Sequence, residues 1–189
     1  MNKKNIILIL AGIILLVFQF NISIGSSRID IFSDILAFIL IAVGGFSLAK
    51  RNVVFKKMKG ITILGIVLTT IGQILNIYNF FSEVANINTI ITGLSTIVTI
   101  YFTYYFTEGL ILEAKFQDKS AVTRTFRISW FVLGALIFIE YIAATTNTMS
   151  LIIISQAVTG IYAIYFCSSI LTACRQLYME GLPTKHMVQ

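Results

Sequence analysis

Proline, histidine and cysteine are almost missing from this chain of 189 residues, which holds one proline, one histidine and two cysteines. Each shortage excludes a chemistry. The single histidine, His186, lies in the last few residues, so no His-based triad, HExxH zinc site or histidine cluster can assemble in the body of the chain. Cys167 and Cys174 stand seven apart in one apolar run. On a helix they point to similar sides but lie too far apart along the axis to bridge, and they form neither a redox CxxC nor a zinc motif. Pro183 falls outside every long apolar run, so none of those runs has the proline break that often marks a carrier's substrate site. No Gly-rich loop leads into Lys and Ser or Thr to cradle a phosphate. No enzymatic constellation and no cofactor are expected.

Charge is the next shortage. Only 12% of the residues are Asp, Glu, Lys or Arg, half the share of about 25% usual in a soluble domain, and 57% are hydrophobic. The apolar residues gather into repeated stretches of the ~18 or more residues that cross hydrocarbon. They predict an all-α polytopic membrane helix bundle. It forms a single integral membrane domain over 1–189, with spans at about 5–24, 30–49, 60–80, 87–112, 128–146 and 150–173. Residues 174–189 form a short tail in which Gly181 and Pro183 stop the last helix. The basic start followed by apolar residues 6–18 has the outline of a secretory signal. The apolar stretch continues to about Gly25, however, so it is read as an uncleaved first span.

The formal net charge of +6 reads as topology, because no soluble domain remains to offer nucleic acid a basic face. Lys3 and Lys4, the loops carrying Lys50 to Lys59 and Lys115 to Arg127, and the tail with Arg175 and Lys185 all fall on one side. That side then holds 13 of the 14 basic residues, Arg28 being the exception. The positive-inside rule predicts both termini in the cytoplasm and six spans in the cell membrane. In size and number of apolar runs the chain resembles the substrate-binding membrane subunits of energy-coupling-factor vitamin transporters. Its first run lacks an AxxxA docking stripe. The resemblance implies a ligand-binding bundle partnered by an energising module.

Polar residues inside the runs are the candidates for function, because lipid offers them no partner. Thr92, Thr96, Thr99, Thr103 and Thr107 follow one another at separations of four, three, four and four, which aligns five hydroxyls along one side of a helix. Such a stripe either lets helices approach closely or lines a polar path. Tyr101, Tyr105 and Glu108 form a second strip, which suits a ligand pocket or the inner aromatic belt. Gln73 and Asn76 should face protein or a cavity. Glu140, after the apolar residues 131–139, needs a partner, water or a proton. Asp30 and Asp34 are four apart at the start of the second run and should share a helix face. With Glu83 they make an outer acidic cluster that could draw a metal ion or an amine, or simply a cap and a loop residue.

The expected ligand residues are therefore Glu140, Tyr101, Tyr105, Gln73, Asn76, Thr99 and Thr103, with Asp30, Asp34 and Glu83 as the outer acidic cluster and no resident metal. The expected partners are the lipid bilayer, a small-molecule or cation ligand, and a membrane-protein partner or a second copy, with no nucleic acid. Two roles fit this pattern. One is a transport-related ligand-binding or permeation subunit; the other is a non-transporting sensor, immunity or accessory protein acting through helix contacts.

Overall fold

A computed structural model describes residues 3–18, 21–24, 27–30, 34–77, 85–146 and 148–178. Six helices hold most of them: α1 (Lys3–Val17), α2 (Asp34–Leu48), α3 (Val53–Ile77), α4 (Ala85–Phe116), α5 (Ser120–Thr145) and α6 (Met149–Tyr178). Four of these, α3 to α6, are long and apolar enough to cross a membrane. The apolar helices α1 and α2 have 15 residues each. That is about 22 Å, against hydrocarbon about 30 Å thick.

The first two helices are shorter than expected because the chain between them changes periodicity. Strand β1 (Asn21–Ile24) pairs antiparallel with β2 (Ser27–Asp30), with Asn21 opposite Asp30 and Ile24 opposite Ser27. Here polar residues alternate with β-branched isoleucines at Ile22, Ile24 and Ile29, a period of two that suits a strand and not a helix. The first helix therefore stops at Val17 instead of running to residue 24. Asp30 stands in β2 and Asp34 begins α2, so the helix face the two were expected to share does not form.

Local hydrogen bonds explain where the other helices start and stop. Asn52 caps α3: the Phe55 backbone N–H donates to its Oδ1 at 2.9 Å. The Asn52 amide also donates across to α4, to the Gly109 carbonyl at 3.3 Å and Glu113 Oε1 at 3.2 Å, and Arg51 pairs with Glu113 at 3.6 Å. At the end of α4 the Asp118 N–H donates to the Lys115 carbonyl and the Lys119 N–H to that of Ala114, both at 3.1 Å. Asp118 lies at φ 55°, the left-handed residue of a Schellman stop. After α5, the Thr145 and Thr146 hydroxyls each donate at 2.7 Å to the carbonyls of Ile142 and Ala143. These residues satisfy the orphan carbonyls that every helix end leaves.

The helices form a closed ring. Each packs on the next in sequence, and α6 returns to α1. Glycine contacts show that neighbours run in opposite directions: Gly12 faces Ala37 and Ile41 while Gly44 faces Asn5 and Ile9, and Gly65 meets Phe38 while Gly45 meets Met58. Gly109 meets Phe55 while Gly72 meets Ile91, and Gly160 meets Phe18, the residue after α1. Small residues at these crossings let backbones approach, which is how membrane helices gain packing energy without a hydrophobic drive between them. One buried cluster with residues from all six helices fills the inside. It includes Ile9 and Ile13 of α1, Phe38 of α2, Phe55 of α3, Phe102 and Phe106 of α4, Phe126 of α5 and Phe166 of α6.

Candidate functional site

Between α4 and α5, close to the turn that joins them, lies a groove of about 250 Å³. Helix α4 contributes Tyr104, Thr107, Glu108 and Ile111, and α5 contributes Arg127, Trp130 and Phe131. The spacings are three, one and three on α4, then three and one on α5, so each set is one stripe of a helix. The Trp130 ring meets the Tyr104 ring edge-on at 5.0 Å, and Tyr104 meets Tyr105 at 5.3 Å. Phe131 at the rim is 68% exposed, so the groove opens sideways, toward the surface that lipid would cover.

Two buried polar atoms of this groove lack partners among the described residues, as does the Thr123 hydroxyl of α5 outside it. The Thr107 hydroxyl oxygen, in a residue only 2% exposed, and the Trp130 indole nitrogen have no hydrogen-bond partner among the described residues. Other threonines on the α4 stripe are satisfied by their own helix. Thr96 donates to the Thr92 carbonyl at 2.9 Å, Thr99 to Ser95 at 3.0 Å and Thr103 to Thr99 at 3.0 Å. An indole N–H can only donate, and a buried donor left unpaired costs about 1–3 kcal/mol. Both groups thus lack an acceptor at the wall of the groove.

Charge borders the same groove. Glu108 and Arg127 both line it, and neither forms an ion pair within 4 Å among the described residues. Both helices run away from their shared turn, which sets an order of depth. Trp130 lies three residues beyond Arg127 and Tyr104 four beyond Glu108, or about 4.5 and 6 Å at 1.5 Å per residue. The charged pair is thus nearest the turn, with the indole and tyrosine further into the apolar length of the helices.

The expected site residues are spread around the ring. Glu140 of α5 has the buried Thr159 of α6 as its polar neighbour, and the Thr159 hydroxyl donates to the Ser155 carbonyl at 2.8 Å. Tyr101 is half exposed, and Tyr105 packs partly buried against the core. Thr99 and Thr103 lie along α4 on the far side of Tyr104 from the groove's charged end. Gln73 is half-buried on α3. Asn76 is in the last turn of α3, with its side chain outside the described residues, as is that of Asp30; Glu83 lies wholly outside them. Among the described residues, no group of three His, Cys, Asp or Glu is placed to hold a metal ion.

Arg127 and Trp130 were not singled out from the sequence. A signal for them existed: the only tryptophan of the chain follows a basic residue by three at the start of an apolar run. A second, wider groove between α5 and α6 is lined by Val122, Thr125, Tyr165, Ser168, Ser169, Thr172 and Ala173. It has no charged residue. No family model, curated protein or solved structure matches the chain.

Proposed function

We propose that the protein is a multi-pass protein of the cell membrane that binds a small amphiphilic ligand in the α4–α5 groove, in a binding or transport-related role. Both termini and the charged end of the groove lie on the cytoplasmic face. The observation that carries this reading is the pair of buried, unpartnered groups at Thr107 and Trp130, set beside Glu108 and Arg127. A protein gains nothing by leaving such groups unpaired in its own fold, so a site that presents them together is built for a ligand with acceptors. The sidedness rests on the basic residues, which collect at the groove's end of the bundle.

Binding is favoured over permeation by the ring's interior. Its phenylalanines, isoleucines and leucines form a continuous buried cluster, and a dry apolar filling offers an ion or polar solute no replacement for its hydration shell. The second reading, an accessory protein that docks on another membrane protein, is favoured by the exposed α6 surface with Tyr165, Ser168 and Thr172 along the wider groove. Its small hydroxylated residues suit close helix approach.

Native mass spectrometry of the protein, extracted gently from its own membrane, tests the binding reading. A retained small molecule that is lost in Thr107→Val supports it. A bare wild-type chain, or a stoichiometric protein partner without a small molecule, sinks it and leaves the accessory role.

A further inference from the structure

We infer that the ligand is a phospholipid with a primary amine in its headgroup, taken from the leaflet on the side of the α4–α5 turn. This rests on the reading that the groove binds an amphiphile, and it adds which one. The groove presents both signs of charge at one level, Glu108 and Arg127. A purely anionic headgroup would answer Arg127 and set its charge against Glu108. A headgroup with phosphate and ammonium answers both: the guanidinium takes phosphate oxygens, and the carboxylate accepts N–H bonds. A quaternary ammonium has no N–H to give it.

The depth order agrees with this assignment. In a phospholipid the ester carbonyls lie below the phosphate, toward the hydrocarbon. In the groove Trp130 lies about 4.5 Å deeper along its helix than Arg127, and Thr107 about 1.5 Å deeper than Glu108. An ester carbonyl at that depth supplies the acceptor that the indole N–H and the buried hydroxyl need. The volume of about 250 Å³ falls below the range of about 300–1,000 Å³ in which proteins enclose a drug-sized molecule whole. It suits a headgroup and glycerol, with the acyl chains left outside along the exposed ring of Phe131.

The chain's only tryptophan is in the groove, so intrinsic emission reports on the site. The full chain is reconstituted in phosphatidylcholine vesicles. A guest lipid with brominated acyl chains is added at one fixed minor mole fraction, as phosphatidylethanolamine, phosphatidylglycerol or phosphatidylcholine. Brominated phosphatidylethanolamine is expected to occupy the quenching site about fivefold better than either of the others, the scale of one charge contact at a membrane surface. In Glu108→Gln that preference is expected to vanish. The comparison in the wild-type protein needs no variant, so it stands even if Glu108→Gln fails to fold. Equal quenching by all three lipids, or a preference for phosphatidylglycerol, overturns the amine assignment but leaves an amphiphile in the groove. Quenching relieved by water-soluble glycerophosphoethanolamine alone overturns the membrane source. An emission that responds to no guest lipid overturns the groove reading itself.

Discussion

A threonine in a membrane helix can satisfy its hydroxyl on the carbonyl four residues back, and Thr96, Thr99 and Thr103 do so. Replacing Thr96 or Thr99 with valine should shift stability by less than about 0.5 kcal/mol. Thr107 should behave differently. Its buried hydroxyl has no partner among the described residues, so Thr107→Val should stabilise the delipidated protein by about 1 kcal/mol while weakening ligand retention. Unfolding by sodium dodecyl sulfate titration reads the first effect. A loss of stability would mean that Thr107 is already bonded within the fold. Thr159 predicts the opposite sign, because its hydroxyl lies beside Glu140 of the neighbouring helix as well as donating to the Ser155 carbonyl. Thr159→Val should cost about 1 kcal/mol, within the range for hydrogen bonds between membrane helices, and an unchanged midpoint would detach Glu140 from it. The stripe of threonines and the need of Glu140 for a polar neighbour were legible in the sequence, since both follow from helical period and the cost of burying polar groups. The groove was not. It joins one stripe of α4 to one of α5, and sequence periodicity gives the faces of each helix without saying which face meets which.

At the scale of elements, apolar length located α4 and α6 to within about five residues, but α3 starts at Val53 and α5 at Ser120, well before the apolar runs expected from 60 and 128. The α1–α2 connection escaped that reasoning, because counting apolar residues ignores the alternation of isoleucine with polar residues that makes Asn21–Ile24 a strand. The glycines at crossings set how closely α1 and α2 approach. An added Cβ on Gly44 would stand 2.5 Å from the Asn5 carbonyl oxygen, and one on Gly12 would stand 2.7 Å from that of Ala37. Both are backbone atoms that cannot swing aside. Gly44→Ala and Gly12→Ala should each destabilise the protein by about 1–3 kcal/mol. Gly60→Ala, with nothing within 4 Å of its added carbon, should gain up to ~1 kcal/mol from helix propensity. The same detergent titration ranks the three, and equal midpoints would mean that α1 and α2 do not pack this closely. The stop of α4 makes a further case: Asp118 holds φ 55°, a conformation that costs a non-glycine residue about 1 kcal/mol. Asp118→Gly should recover roughly that amount, less the entropy that glycine adds to the unfolded chain.

For the whole molecule, the ring and the bilayer together constrain the short pair α1 and α2. Helix α1 packs along α6, its Leu10 carbonyl against Cys167 and the following Phe18 against Gly160, so it shares the depth of a helix long enough to cross. The 15 residues of α1 and a strand of four together extend about 22 Å and about 13 Å. The helix alone falls short of hydrocarbon about 30 Å thick, so the bilayer would have to thin around it. The ribbon cannot lie within the hydrocarbon, since a two-stranded sheet leaves edge N–H and C=O groups that only water or headgroups can satisfy. The pair is expected to cross, with the ribbon in one interface, which would give six spans and put both termini on the same side. Labelling of intact cells with a membrane-impermeant thiol reagent decides this, and the two native cysteines are both buried and give little background. Ser27→Cys in β2 and Thr148→Cys before α6 should react from outside, and Gln117→Cys in the α4–α5 turn only after permeabilisation. Reaction at Thr148→Cys without Ser27→Cys would leave α1 and α2 as a re-entrant pair on four spans. Reaction at Gln117→Cys alone would turn the whole bundle over and move the charged end of the groove to the outer leaflet.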